Sequence, residues 1–152
     1  NEFQGIVPVN SSLGDGTNLR TNLYWGAGYG IKTHFKRSAK WQTVGSTYDI
    51  NKHVLERIVF KRTDQNVIIV ADAYRGDEMG QCVTDYFNTL AGIKSDTITL
   101  GDTSLVIGTT TDLVVFNGHN GLMDVTIDTV FNKDGVMKDA VAIACVSHSY
   151  FE

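Results

Sequence analysis

Three short runs of nearly uninterrupted apolar residues, 67–73, 113–117 and 140–146, constrain the fold most. Runs apolar at successive rather than alternate positions are what parallel strands covered on both faces require. Between the first two lies a segment of different periodicity. From Asp77, the positions Met79, Cys82, Val83, Tyr86, Phe87 and Leu90 follow the i, i+3, i+4, i+7 series of a core-facing helix. Asp77 and Glu78 fall in its first turn, where the helix dipole favours anions, and Gly92 follows its end. A further strand is expected over 5–9. An earlier helix is expected from near Asn22, because Leu23, Ala27, Ile31 and Phe35 recur every four residues, with Lys36, Arg37 and Lys40 near its C-terminal end. Gly26, Gly28 and Gly30 inside it cost about 1 kcal/mol each relative to Ala. They imply close backbone packing or a looser helix.

Smaller elements complete the pattern. Residues 54–61 read as an extra strand turning at 63–66 into the next. Residues 97–100 and 104–107 flank Gly101-Asp102, a hairpin turn. Val125, Ile127 and Thr129 alternate with polar residues, so 124–131 reads as a short two-faced strand. Strands interleaved with amphipathic helices predict an α/β fold. The expected architecture is a three-layer sandwich: a mainly parallel sheet of about four core strands, with small β-hairpin additions, in a single domain.

Composition excludes several classes. The chain has 152 residues, of which 42% are hydrophobic and 10% aromatic, enough apolar surface to offset chain entropy. Thirteen Lys and Arg against 17 Asp and Glu leave a net charge of −4, and no basic run exceeds two residues, so a nucleic-acid partner is not expected. No apolar stretch approaches the roughly 18 residues that span a bilayer. Two cysteines, Cys82 and Cys145, cannot form a multi-bridge secreted framework. The chain opens at Asn1-Glu2-Phe3-Gln4 and closes on Ser149-Tyr150-Phe151-Glu152 directly after an apolar run. Both ends look cut, so a piece of a longer product is expected; the alternative is a complete small domain with a short last element.

One constellation carries chemistry. Phe116-Asn117-Gly118-His119-Asn120-Gly121 places a histidine just past one apolar run. Ile143-Ala144-Cys145-Val146-Ser147 places a cysteine near the end of the next. In open parallel sheets, ligands bind beyond the carboxyl ends of the strands. If the two strands are neighbours, His119 and Cys145 rise at one edge, where a thiol and an imidazole can act as nucleophile and general acid/base. The nearby glycines matter because an oxyanion needs backbone N–H groups at close approach. Cys82 fits a helix core face and reads as structural. His34 and His53 have no ligand-spaced partners, and His148 reads as a turn residue. The group His119, Asp124 and Asp128 fits no common metal spacing, and no metal or other cofactor is called for. Gly14-Asp15-Gly16 reads as a loop, since no GxxxxGK[ST] pattern follows.

An apolar strand ending in Gly-His, followed by one ending in Ala-Cys and small residues, resembles the caspase-like cysteine peptidases, the clan of caspases, legumains, gingipains and clostripain. The strings Tyr24-Trp25-Gly26-Ala27, Val70-Ala71-Asp72-Ala73-Tyr74-Arg75-Gly76 and Gly121-Leu122-Met123-Asp124 are also similar to an uncharacterised bacterial family with this dyad. The resemblance implies His119 as proton shuttle and Cys145 as nucleophile of a peptide or protein hydrolase. It implies an oxyanion hole from the Cys145 amide and a glycine amide beside the histidine, Gly118 or Gly121. Asp72, Asn120 and Asp124 are the candidates for substrate contacts. Asn120 stands where that clan usually has glycine. The chain also stops seven residues past Cys145, where relatives build a specificity pocket, so a C-terminal subunit or missing segment is expected. The alternative is a non-catalytic binding or scaffold domain. A flavodoxin-like or receiver-like module would need a phosphate loop or acidic cluster at strand ends, which the first strand lacks.

Overall fold

The computed structural model of the protein describes residues 7, 8, 10–128 and 130–151. It divides into two compact units, Asn1–Glu78 and Met79–Glu152. The expected three-layer sandwich with a mainly parallel sheet is not what forms. Among the described residues, five of the seven strands lie in antiparallel arrangements, three in one sheet and two in a hairpin, and one parallel pair remains. The expected strand over 5–9 falls mostly outside the described residues.

The first unit holds a sheet of β1 (Trp41–Tyr48), β2 (Val54–Arg62) and β3 (Ile68–Tyr74), in that order, with both pairings antiparallel. The run at 67–73 is therefore a strand, but not a parallel one. The reason is the connection. Arg62 and Val67 are joined by a tight turn in which the Arg62 amide donates to the Val67 carbonyl at 2.9 Å. A parallel crossover needs a dozen or more residues. β1 carried no expectation, because its residues are mostly exposed and show little apolar alternation. Its register shifts between Thr43 and Gly45, a bulge that twists this edge strand.

The helix expected from Asn22 is shorter, running only over α1 (Ile31–Arg37). Residues 22–30 instead form successive turns closed on Asn22, whose carbonyl accepts from Gly26 and Ala27 at 3.1 and 3.0 Å. The glycines explain this. A Cβ at Gly26 would lie 2.3 Å from the Leu19 carbonyl oxygen, and one at Gly30 would lie 2.3 Å from that of Trp25. Close backbone crossing, not helix, is what these residues supply. Trp25, Ile58, Phe60 and Ala73 form the core, with Ile31, Phe35 and Trp41 packed against it. Within it, Glu56 is fully buried. It accepts from Trp25 Nε1 at 2.6 Å and from Lys32 Nζ at 2.8 Å, so its charge is both paired and hydrogen-bonded.

The second unit opens with α2 (Met79–Leu90), which matches the expected periodicity. β4 (Asp96–Leu100) and β5 (Thr103–Ile107) form the expected hairpin, with Gly101 at φ +60° in its turn. β6 (Leu113–Asn117) and β7 (Asp139–Ile143) pair in parallel, Phe116 beside Ala142 and Asn117 beside Ile143. β7 stops at Ile143, short of the expected 146, and 124–128 is not a strand. Val83 and Tyr86 of α2 pack on Phe116 around one core. Phe151 stacks on Phe116 with ring centroids 5.5 Å apart. The opposite face of the pair is apolar and exposed: Leu113, Val115, Val141 and Ile143.

Candidate functional site

Because β6 and β7 run parallel, both chains leave the pair at the same edge. Two of the expected residues, His119 and Cys145, lie just beyond their strands there. The β6 exit begins with Gly118, whose amide donates to the Ile143 carbonyl at 3.2 Å and prolongs the ladder by one step. That amide is thus engaged, and of the expected oxyanion donors Gly121 and Cys145 are left. His119 follows. Its Nε2 lies 2.5 Å from Asp124 Oδ2. Asp124 is brought back by the 3-10 turn Gly121–Met123, its amide donating to the Gly121 carbonyl at 3.0 Å. Gly121 is required there: a Cβ would meet Met79 Cγ at 2.6 Å and Val83 Cγ2 at 2.7 Å. The turn lies flat on α2, and this fixes where Asp124 meets the histidine.

Asn120 is the hinge of the arrangement. It is fully buried, and its Nδ2 donates to the Cys145 carbonyl at 2.8 Å. This bond ties the residue next to the histidine directly to the cysteine. Asn120 Oδ1 has no hydrogen-bond partner among the described residues. A buried carbonyl oxygen left this way costs about 1–3 kcal/mol, so the asparagine is held for its other end. Asn120 links the two strand ends.

Past β7 the chain bends sharply. Val146 has φ +55° and ψ +29°, a left-handed conformation rare for a β-branched residue and worth about 1–3 kcal/mol of strain. The bend leaves Cys145 exposed at its crest. The segment is then pinned: the Ser147 amide donates to the Ala144 carbonyl at 3.3 Å, Phe151 donates to Ser147 at 2.9 Å, and the Phe151 ring joins the core. His148 lies on the intervening 3-10 turn Ser147–Ser149.

The remaining candidates lie elsewhere. Asp72 is on β3 in the first unit, held by Arg57 through Nε at 2.7 Å and Nη2 at 2.8 Å. This bidentate pair on adjacent strands accounts for the carboxylate. His53 Nδ1 lies 2.8 Å from Glu78 Oε2, and His34 is on α1 with its ring edge-on to Phe35. Cys82 packs in the second core. Among the described residues, no group of three or more His, Cys, Asp or Glu could hold a metal ion. Also among them, no helix is long and apolar enough to cross a membrane.

Asp124 was expected among the substrate contacts, and its hydrogen bond with His119 was not expected. The signal was a carboxylate five positions after the histidine across a Gly-Leu-Met turn. The tie from Asn120 and the bend at Val146 left no comparable signal. No protein-family model, curated protein or solved structure matches this chain.

Proposed function

We propose that the second unit is a cysteine-dependent acyl-transfer site that hydrolyses peptide bonds, with Cys145 as nucleophile, His119 as general acid/base and Asp124 as the group that orients the histidine. The observation that carries this reading is the pair of bonds from one turn: His119 to Asp124, and Asn120 to the carbonyl of Cys145. An imidazole steered by a carboxylate, and an exposed thiol on a strained bend at the end of the neighbouring strand, are the parts an activated nucleophile needs.

With Nε2 on Asp124, proton exchange with the thiol runs through Nδ1. The Cys145 thiol gives its proton to Nδ1 as sulfur attacks the substrate carbonyl carbon. The C–N bond then breaks, and the amine leaves with that proton. Water, deprotonated by the same nitrogen, attacks the thioester and releases the acid and the free thiol. The Cys145 and Gly121 amides are the donors for the oxyanion.

The test is labelling of the whole chain by thiol-directed peptidyl probes, located by mass spectrometry, together with peptide hydrolysis. Cys145→Ala should abolish both. His119→Ala should slow both by about 10²-fold or more. Asp124→Asn should slow them less and displace the pH profile. Undiminished hydrolysis in Cys145→Ala would refute the proposal. A second reading, a binding domain without hydrolysis, is favoured by the engagement of the Gly118 amide in the ladder. It requires that His119→Ala leave the Cys145 labelling rate unchanged.

A further inference from the structure

Beside the site is a cleft of about 330 Å³, lined by Phe87, Leu122, Val125, Thr126, Ile127 and Tyr150. We infer that this cleft receives an uncharged, apolar side chain, aliphatic or aromatic, of a peptide whose adjoining carbonyl is presented to Cys145. The inference rests on the acyl-transfer reading and adds the class of substrate.

Five of the six lining residues come from the two segments that carry the chemistry, and Phe87 comes from α2. Leu122 and Val125 bracket Asp124, and Val125 is fixed by its amide donating to the Gly121 carbonyl at 2.9 Å. Tyr150 closes the turn after Cys145, its amide donating to the Ser147 carbonyl at 3.1 Å. A side chain in the cleft is therefore flanked by the histidine–carboxylate turn and by the cysteine loop. Those are the two neighbours a residue beside the scissile bond must have.

The character of the walls decides the class. None of the six lining residues is charged, and the one aliphatic hydroxyl is that of Thr126. An acidic or basic side chain would find no counter-charge among the lining residues, whereas an apolar one gains contact with their apolar surface in this open cleft. The volume is at the small end of ligand sites, which suits one side chain rather than an extended ligand. Phe87 and Tyr150 add aromatic surface on which a leucine or phenylalanine side chain packs.

Two measurements separate this inference from the reading below it. In the first, the whole chain is treated with acetyl-dipeptidyl acyloxymethyl ketones ending in Leu, Phe, Asp or Lys, and the rate of Cys145 labelling is measured. The Leu and Phe probes should react at least about tenfold faster than Asp or Lys. Thr126→Arg and Tyr150→Arg, at exposed positions, should reverse the order between Leu and Asp. Labelling that depends on His119 but shows no preference for Leu or Phe would overturn the cleft assignment and leave the acyl-transfer reading standing. In the second, Cys145→Ala is titrated with acetyl-leucine amide and acetyl-aspartate amide, followed by the amide resonances of residues 122–127 and 150. Saturable shifts with the leucine compound alone support the cleft without reference to reactivity. Their absence overturns it, however Cys145 behaves.

Discussion

Two glycines flank the His119-Asn120 step, and an added methyl group should tell them apart. At Gly121, an alanine Cβ would sit 2.6 Å from Met79 Cγ and 2.7 Å from Val83 Cγ2. At Gly118, the nearest atom is Phe116 Cζ at 3.6 Å, an ordinary contact. Carbon atoms at optimal separation are about 3.5–4.0 Å apart, so Gly121→Ala intrudes by roughly 1 Å on two neighbours at once. Val83 is fully buried on α2 and cannot swing away. Overpacking of this kind costs about 1–3 kcal/mol. The alanine also stiffens the unfolded chain, which offsets about 0.4–1 kcal/mol. The net effect of Gly121→Ala should run from about zero to a loss of about 2.6 kcal/mol, while Gly118→Ala, with no clash, should gain about 0.4–1 kcal/mol. The probe must be chosen with care. Both tryptophans, Trp25 and Trp41, are in the first unit, so indole fluorescence does not report on the second. Urea unfolding followed by exchange of the Val83 and Tyr86 amides does. Relief of the clash should also lift the turn that carries Asp124, so Cys145 labelling by peptidyl probes should slow in Gly121→Ala alone. Equal stability changes in the two variants would refute the view that this turn is positioned by its packing on α2.

Other perturbations follow from the same geometry. Lys32→Met leaves the fully buried Glu56 with Trp25 but without its cation, and should cost about 3–5 kcal/mol; Glu56→Gln should cost less, because Lys32 reaches solvent, and equal losses by Trp fluorescence in urea would count against the assignment. Phe116→Ala removes the ring that Tyr86 and Phe151 pack on and should cost about 3–5 kcal/mol, with faster amide exchange after Cys145. The Arg75 guanidinium, hydrogen-bonded to Asp77, holds that carboxyl below the ordinary carboxylate range. The stability from this pair is present above the ordinary value of about 3.9 and is lost as pH falls through the lowered midpoint. Arg75→Gln should move the Asp77 midpoint up in a carboxyl NMR titration.

The elements read correctly from the sequence are those whose own residues carry the signal. α2 follows from six apolar positions on one face, β4 and β5 from a Gly-Asp turn, and the strand at 113–117 from its unbroken apolar run. The misread pairing at 67–73 is a question of connection. The run at 67–73 has the composition of a covered parallel strand, but the short turn before it admits only an antiparallel neighbour, and pairing is a property of two segments. β1 is an exposed edge with no apolar code to read. In the site, His119 and Cys145 were visible as residue types at strand ends. The link made by Asn120 was not legible, because it is a bond to a residue 25 positions away. Val146 was invisible because a left-handed valine is held by its surroundings against its own preference.

The parallel pairing of β6 and β7 has one more consequence. Two parallel strands cannot be joined by a hairpin, so the chain must make an excursion between them, and its described portion over residues 131–137 is exposed throughout. That excursion is what keeps the histidine strand and the cysteine strand in a single molecule. A nick within it would turn their encounter from a first-order event into a second-order one. Anything the two residues do together would then dilute away with falling protein concentration.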